Sequence, residues 1–253
     1  MSVLRIYATA FNNANRVKRC IDSLKKLHPF KMYVVDNYST DGTYELLKSF
    51  SNIKVTRYNC KRGKGRDIAL KMLLNYAEPE DPVIYVDLDT IYKKEYIDFI
   101  KNKMKMLKDN VIYYNMGSLS NAKTNAALFW RNLNAHEDVE RCARALASGI
   151  TVYRLKDGDT YWDNESVKNG PREGRYARGQ ISKYKRFLVH LIDDERGGAF
   201  KSFREFYSIS DKKNLQYTFG YLVAYIIARL LGIYSYDKKL NNRAYINENI
   251  TDI

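Results

Sequence analysis

Asp87 and Asp89 stand one residue apart at the end of the run "PVIYVDLDT" (Pro82–Thr90). The apolar, β-type residues before them place both carboxylates at the carboxyl end of a buried strand. Like charges this close repel unless something positive sits between them. Two acids at a strand end make an oxygen-ligand site for a hard divalent cation, Mn²⁺ or Mg²⁺. Two carboxylates leave coordination positions open, and such ions usually share these with substrate phosphates. The glycine-rich stretch "RGKGR" (Arg62–Arg66) opens a helix, where backbone N–H groups and Lys64 can meet phosphate. Metal, phosphate and a further acid, Asp36, together describe a site for a nucleoside diphosphate.

The elements around these residues must bring them together. Four β-rich runs, "VLRIYAT" (Val3–Thr9), "KMYVVD" (Lys31–Asp36), "IKVTRY" (Ile53–Tyr58) and "VIYVD" (Val83–Asp87), predict strands. Helical spacing joins Val17, Cys20, Ile21, Leu24 and Leu27 after the first, and Leu46, Leu47 and Phe50 after the second. Ile68, Met72, Leu73 and Tyr76 follow the third strand. Tyr96, Ile97, Ile100, Met104 and Leu107 follow the fourth. Strands alternating with helices predict an α/β fold with a Rossmann-like, mostly parallel central sheet and helices on both faces. Ligands of such sheets bind beyond the carboxyl ends of the strands. There the sequence reads "AFNN", "DNYSTDG", "CKRGKGRD" and "DLD". Asp36, Lys64, Arg66, Asp67, Asp87 and Asp89 therefore converge on one edge. Solvated loops would account for any one of them, but poorly for all together.

Beyond residue 115 the pattern weakens. "NMGSLSNAKTNAALFW" (Asn115–Trp130) carries few signals, whereas Asn134–Gly149 predicts a helix with an acidic first turn and a terminal glycine. "TVYRL" predicts a late strand. Arg172, Arg175 and Arg178 lie between Gly170 and Gly179, and read as a lid over a diphosphate, an anionic-acceptor site or a solvated basic loop. Tyr161 and Trp162 suit stacking on a sugar or ordinary packing. His136 reads as an acceptor contact or a polar residue beside a helix start, and His190 as a core histidine. Tyr217–Tyr234 is apolar, rich in tyrosine and flanked by Lys212, Lys213, Lys238, Lys239 and Arg243. It reads either as a helix lying on an anionic membrane surface or as a core helix. The expected division is a catalytic domain over 1–190 and a C-terminal helical extension over 191–253.

Composition narrows the function classes. The 253 residues are 45% hydrophobic, enough for a full core. The net charge of +14 points to an anionic partner. Three scattered cysteines, Cys20, Cys60 and Cys142, form no disulfide framework, which favours a reducing compartment. The apolar run at the start is too short for a signal peptide. The expected location is cytoplasmic, with the membrane surface as the open alternative.

"VVDNYSTDGTYELL", "KRGKGRDIAL", "VIYVDLDT" and "HEDVERCARAL", in this order, resemble glycosyltransferase family 2 over roughly residues 3 to 155. The resemblance implies the GT-A fold. It also implies that Thr9, Ala10, Phe11 and Asp36 hold the nucleobase and ribose of a nucleotide sugar. Lys64, Asp67, Asp87 and Leu88 complete that site, Asp87 and Asp89 bind the metal, and Asp138 is the general base. The activity implied is metal-dependent, inverting transfer of a hexosyl group from a nucleoside-diphosphate sugar to a hydroxyl. The acceptor would be a glycan, a lipid-linked molecule or a protein. Two other readings stay in view. A basic nucleic-acid-binding protein would explain the charge and the tyrosines, but not four acids at strand ends. A nucleotidyltransferase on a similar sheet would also use acids and a metal, and would release pyrophosphate.

Overall fold

The expected strands form β1 (Leu4–Ala10), β2 (Phe30–Asp36), β3 (Ile53–Arg57) and β4 (Pro82–Tyr85). They are joined by α1 (Ala14–Leu24), α2 (Thr43–Lys48) and α3 (Arg62–Leu74). After β4 come β5 (Ile91–Tyr92), α4 (Lys94–Met104), β6 (Val111–Asn115), β7 (Gly117–Asn121), α5 (Ala122–Ala127), α6 (Glu137–Ala147) and β8 (Thr151–Arg154). Two short strands follow, β9 (Trp162–Asp163) and β10 (Ile250–Asp252). The structure, a computed structural model, describes residues 3–115, 117–132, 137–154, 162–163, 223, 226 and 250–252. His136, Tyr161, the three arginines Arg172, Arg175 and Arg178, and His190 lie outside the described residues. So does the block 217–234, apart from residues 223 and 226.

Among the described residues the main sheet has the order β10-β8-β6-β7-β4-β1-β2-β3. β1 pairs in parallel with β2 and β4, and β2 with β3. β7 runs antiparallel between β4 and β6. β8 is parallel to β6, and β10 to β8. The chain steps from β1 to β2 and β3 on one side and returns to β4 on the other. This reversal opens a crevice at the carboxyl ends of β1 and β4, the place where open α/β sheets bind ligands.

Side chains alternate between the two faces of each strand, so each face has its own core. Ile6 and Ala8 of β1, Met32 and Val34 of β2 and Ile84 of β4 share one core with Val17, Cys20, Ile21 and Leu24 of α1 and Tyr96, Ile97 and Ile100 of α4. On the other face Tyr7, Tyr33, Val35, Val83 and Tyr85 pack against Ala69, Leu70 and Leu73 of α3 and against Trp130. Each fully buried Leu or Ile contributes about 2 kcal/mol through area removed from water. The helices therefore cover both faces, as the alternation implied.

Two details differ from expectation. The spacing after β3 predicts an apolar helix face of Ile68, Met72, Leu73 and Tyr76. Instead Tyr76 is exposed, and the buried side carries Ala69, Leu70 and Leu73 together with Arg66 and Asp67. Arg66 takes this face because it meets partners beneath it, described below, while Asp67 pairs with Lys64 and Lys71 of its own helix. β6 and β7 fill a stretch with weak signals. A third core forms there from Ile112, Leu128, Cys142, Ala145, Ile150 and Val152, and it seats α6. That helix ends where expected: Gly149 has φ +77°, and the Ile150 N–H returns to the Ala145 carbonyl at 2.9 Å.

Candidate functional site

The site begins where β4 leaves the sheet. The Val86 N–H still bonds the Tyr7 carbonyl at 3.1 Å, and a turn then closes between the Asp87 carbonyl and the Thr90 N–H at 3.2 Å. Val86 and Leu88 both enter the core. Leu88 is 1% exposed, so only its backbone is available to a nucleotide. Asp87 and Asp89 are only partly buried and feel each other's charge. The Tyr92 hydroxyl accepts the Asp87 N–H at 3.0 Å and fixes the turn from β5. The partner strand of β5 is β9, which brings the backbone of Trp162 opposite Tyr92.

The two carboxylates have different surroundings. Asp87 Oδ1 accepts a 2.5 Å hydrogen bond from the Tyr85 hydroxyl and lies 3.5 Å from Arg66 Nη2. Burial raises the Asp87 carboxyl above the ordinary carboxylate range; Arg66 opposes that rise and Asp89 adds to it. The Asp89 carboxylate has no hydrogen bond or ion pair among the described residues. This donor set fits a hard divalent cation: two adjacent oxygen ligands, one of them uncommitted, carrying a repulsion that a cation relieves. No group of three or more His, Cys, Asp or Glu side chains suited to a metal occurs among the described residues. The rest of the shell would come from water and phosphate oxygens.

Opposite lies the end of β1. Ala10 is in register with Asp36, and the Asn37 N–H bonds the Ala10 carbonyl at 2.9 Å. Asp36 is fully buried. Its carboxylate accepts the Ser39 N–H at 3.0 Å and the Ser39 hydroxyl, with Arg57 Nε at 3.4 Å. The sequence assigned Asp36 to the nucleotide; here the same carboxylate also shapes the turn that follows β2. Thr9 borders α3 so closely that a Cβ on Gly65 would stand 3.0 Å from Thr9 Cγ2. The glycine lets the first turn of α3 approach the end of β1. Within α3 Lys64 and Lys71 both reach Asp67 Oδ2, at 3.4 and 3.1 Å. Asp67 is thus engaged by its own helix, while Lys64 stays partly exposed beside it.

The third wall is the start of α6. Glu137 is 1% exposed, and its Oε1 lies 2.9 Å from Arg66 Nη1 and 3.6 Å from Arg62 Nη1. The next residue, Asp138, accepts a 2.8 Å hydrogen bond from the Tyr114 hydroxyl of β6. Arg66 is 5% exposed, and its guanidinium lies over Tyr85 at 4.2 Å and Trp130 at 4.8 Å. Burial opposes its charge, but Tyr85, Glu137 and Asp87 outweigh that and keep it cationic. Arg141, also buried, anchors α6 from below. It donates to the Leu128 carbonyl at 2.8 Å and to Asn125 Oδ1 at 2.7 Å.

The structure thus places Thr9, Ala10, Asp36, Asp87 and Asp89 at the carboxyl ends of β1, β2 and β4, Lys64 and Asp67 in the first turns of α3 and Asp138 at the start of α6, with Phe11 on the chain leaving β1; Asp36 and Asp67 are themselves buried. The sequence reading missed Tyr114, Trp130 and Arg141. Only "VIYYN" carried a signal, as an apolar, aromatic run that could have been read as a strand. A separate cleft of about 510 Å³ opens at the amino ends of β1, β2 and β3, lined by Arg5, Lys31, Tyr33, Lys54 and Tyr76 among others. None of the predicted site residues reaches it.

The family model described as glycosyl transferase family 2 matches residues 6–141, more than half of the chain. The chain belongs to glycosyltransferase family 2. The four motifs implied the same family. Among solved structures it is similar to TarS of S. aureus, with 16% identity and a TM-score of 0.52 over 83% of this chain. That alignment takes in 46% of TarS, so the chain spans about half the length of that protein. At this identity the likeness speaks to the fold alone, and the fold is the GT-A arrangement expected. Glucosyl-3-phosphoglycerate synthase from Mycobacterium tuberculosis, solved with Mn²⁺, uridine diphosphate and glucosyl-3-phosphoglycerate, is 13% identical. Its TM-score is 0.44, over 60% of this chain and 70% of that one. No curated protein matches the chain at a significant level. No described helix is long and apolar enough to cross a membrane.

Proposed function

We propose that this family member is an inverting, metal-dependent enzyme that moves a hexosyl group from a nucleoside-diphosphate sugar to a hydroxyl acceptor. One observation carries the reading. A single guanidinium, Arg66, reaches Asp87 with one nitrogen and Glu137, the neighbour of Asp138, with the other. The acids assigned to the donor and the acid assigned to the acceptor therefore border one small space.

The roles follow from position. Thr9, Ala10, Phe11 and Asp36, at the ends of β1 and β2, receive the nucleoside, and Lys64 meets phosphate at the start of α3. Asp87 and Asp89 hold Mn²⁺ or Mg²⁺, which supplies charge to offset the departing diphosphate. Asp138 takes the proton of the acceptor hydroxyl as it attacks the anomeric carbon from the face opposite the nucleotide. Attack from that face inverts the configuration. The catalytic unit is taken as residues 1–190 and the remainder as an extension. The tyrosine-rich, lysine-flanked block 217–234 supports contact of that extension with an anionic membrane surface, and with a lipid-linked acceptor there. Flotation with anionic vesicles at low and high salt tests that contact.

The test of the reaction is a panel of nucleotide sugars with Mn²⁺ or Mg²⁺, scored by thermal shift and by nucleoside diphosphate release. A bound donor raises the melting temperature by mass action. Release of a nucleoside diphosphate with an inverted product supports the reading. Pyrophosphate release from a nucleoside triphosphate, or a product of retained configuration, overturns it.

A further inference from the structure

We infer that Arg66 is a positioning residue: it couples the donor-side carboxylate Asp87 to the helix that carries the base, through Glu137. The inference rests on the reaction proposed above.

Arg66 cannot wander. It is 5% exposed, and the rings of Tyr85 and Trp130 fix the plane of its guanidinium. Trp130 is itself tied to the sheet, its indole N–H donating to the Tyr7 hydroxyl at 3.0 Å. From that plane the two terminal nitrogens point to two carboxylates. The 2.9 Å contact with Glu137 is within hydrogen-bond range, whereas the 3.5 Å approach to Asp87 is chiefly a charge interaction. Arg66 is thus held mainly by Glu137 and is drawn toward Asp87.

Glu137 needs this arrangement. It is 1% exposed, and its Oε2 has no hydrogen-bond partner among the described residues. A buried carboxylate is tolerated when a cation pairs with it, and loss of the partner is strongly destabilising. Arg62 also lies near Glu137, but at 3.6 Å and from a half-exposed side chain. Arg66 therefore pins the first residue of α6. Tyr114 holds the next residue, Asp138, by the hydrogen bond to Oδ2. Loss of the Arg66–Glu137 pair would loosen the helix turn that carries the base.

The Asp87 contact adds coupling. If Asp87 held a divalent cation, its carboxylate would be drawn from Arg66, and Arg66 would be left to Glu137. Loading the donor side would in this way firm the base side. Coupling of this kind changes the chemical step more than the affinity for the donor.

The experiment uses the full chain with Arg66→Lys and Glu137→Gln. Lysine keeps the charge, but one ammonium cannot hold both carboxylates. Glutamine keeps the shape and an acceptor oxygen but gives up the ion pair. Both variants are expected to lose about tenfold to a hundredfold in kcat, the scale of a small misplacement of a reacting group. Donor KM should stay within about threefold, since uniform binding is untouched. Binding of Mn²⁺ with the donor's nucleoside diphosphate, read from the EPR signal of free Mn²⁺, should shift by no more than about threefold, the small reciprocal effect of a coupling carried by a 3.5 Å charge approach. A rise in KM or weaker Mn²⁺ binding that matches the loss of kcat would make Arg66 a donor ligand and overturn the inference. So would variants with lowered melting temperature and full kcat. If Arg66→Lys fails to fold, Glu137→Gln alone decides by the same split. A wild type that transfers no sugar overturns the underlying reading and this inference with it. A wild type that transfers while the variants match it overturns the inference alone.

Discussion

The Tyr114 hydroxyl donates a 2.8 Å hydrogen bond to Asp138 Oδ2, joining β6 to the first turn of α6. Burial, and then the nearby Asp138, push the ionisation of Tyr114 well above its ordinary value. It therefore remains a donor throughout the working pH range. Tyr114→Phe keeps the ring and deletes the bond. Hydrogen bonds to charged groups contribute about 1.5–3 kcal/mol, so kcat should fall by about tenfold or more. Donor KM should not move. Steady-state kinetics on the purified variant check this, and an unchanged kcat would remove Tyr114 from the orientation of the base.

Asp138→Asn is nearly isosteric and retains an oxygen for Tyr114, but it cannot take a proton from the acceptor. Donor binding should persist while transfer falls by about two to four orders of magnitude. Isothermal titration with donor, beside kinetics, separates the two effects. Equal loss of both would make Asp138 a structural part of the helix turn.

Asp89→Ala removes the one carboxylate of the pair that has no ion pair or hydrogen bond among the described residues. No hydrogen bond or ion pair among the described residues is lost, so the melting temperature should change by less than about 0.5 kcal/mol of stability would imply. Metal-dependent transfer should vanish, and with it the part of nucleoside diphosphate binding that depends on Mn²⁺. Full activity in this variant, or in excess chelator, would contradict the assigned role of Asp87 and Asp89 as metal ligands.

Much of this arrangement was legible in the sequence, and the exceptions have physical reasons. β1, β2 and β4 are β-rich, largely buried runs and β3 a β-rich edge, and their carboxyl ends name the crevice at once. β7 reads "GSLSN", and glycine, serine and asparagine have little intrinsic preference for strands. It forms because the free edge of β4 takes it as an antiparallel partner, with Leu119 opposite Ile84 and buried beside it in the same core. Arg66 could be placed at the edge but not understood. In a run of basic residues it looks solvated, and its burial depends on Tyr85 and Trp130, which only the fold brings over it. Glu137 looked like an ordinary acidic helix start for the same reason. Asp87 and Asp89 were plain because their meaning is local: a strand end, a spacing and a shared charge.

Gly65 is the point where the first turn of α3 meets the end of β1. A Cβ there would lie 3.0 Å from Thr9 Cγ2 and 3.3 Å from Cys60 Sγ. The methyl of a β-branched residue in a strand has little room to give. Gly65→Ala should therefore lose stability, by about 1–3 kcal/mol for overpacking, despite the better helix propensity of alanine. Thr9 belongs to the proposed nucleoside site, so donor KM should rise as well. Thermal melts and donor titration test the pair of effects. A more stable variant with unchanged KM would show that the loop can retreat.

Asp41 links two helix starts with one carboxylate. Its Oδ2 accepts the N–H of Ala14 at 2.9 Å, the first residue of α1. Its Oδ1 accepts the N–H of Thr43 at 3.0 Å, the first residue of α2, and the Thr43 hydroxyl at 2.5 Å. Burial alone would raise the Asp41 carboxyl, but the Thr43 hydroxyl and the two N–H groups lower it below its ordinary value. A carboxyl depressed in the folded state adds stability above its unfolded pKa, and that stability is lost as pH falls through the folded value. Asp41→Asn should be less stable than wild type at neutral pH by about 1 kcal/mol, the scale of one helix cap. The largely exposed position holds it to that scale. The gap should narrow as pH drops below about 3.9, where the unfolded carboxylate protonates, and close once the folded one does too. Melting temperatures of both proteins from neutral to acid pH measure it. A gap that stays constant would mean that the bonds to α1 and α2 owe nothing to the charge.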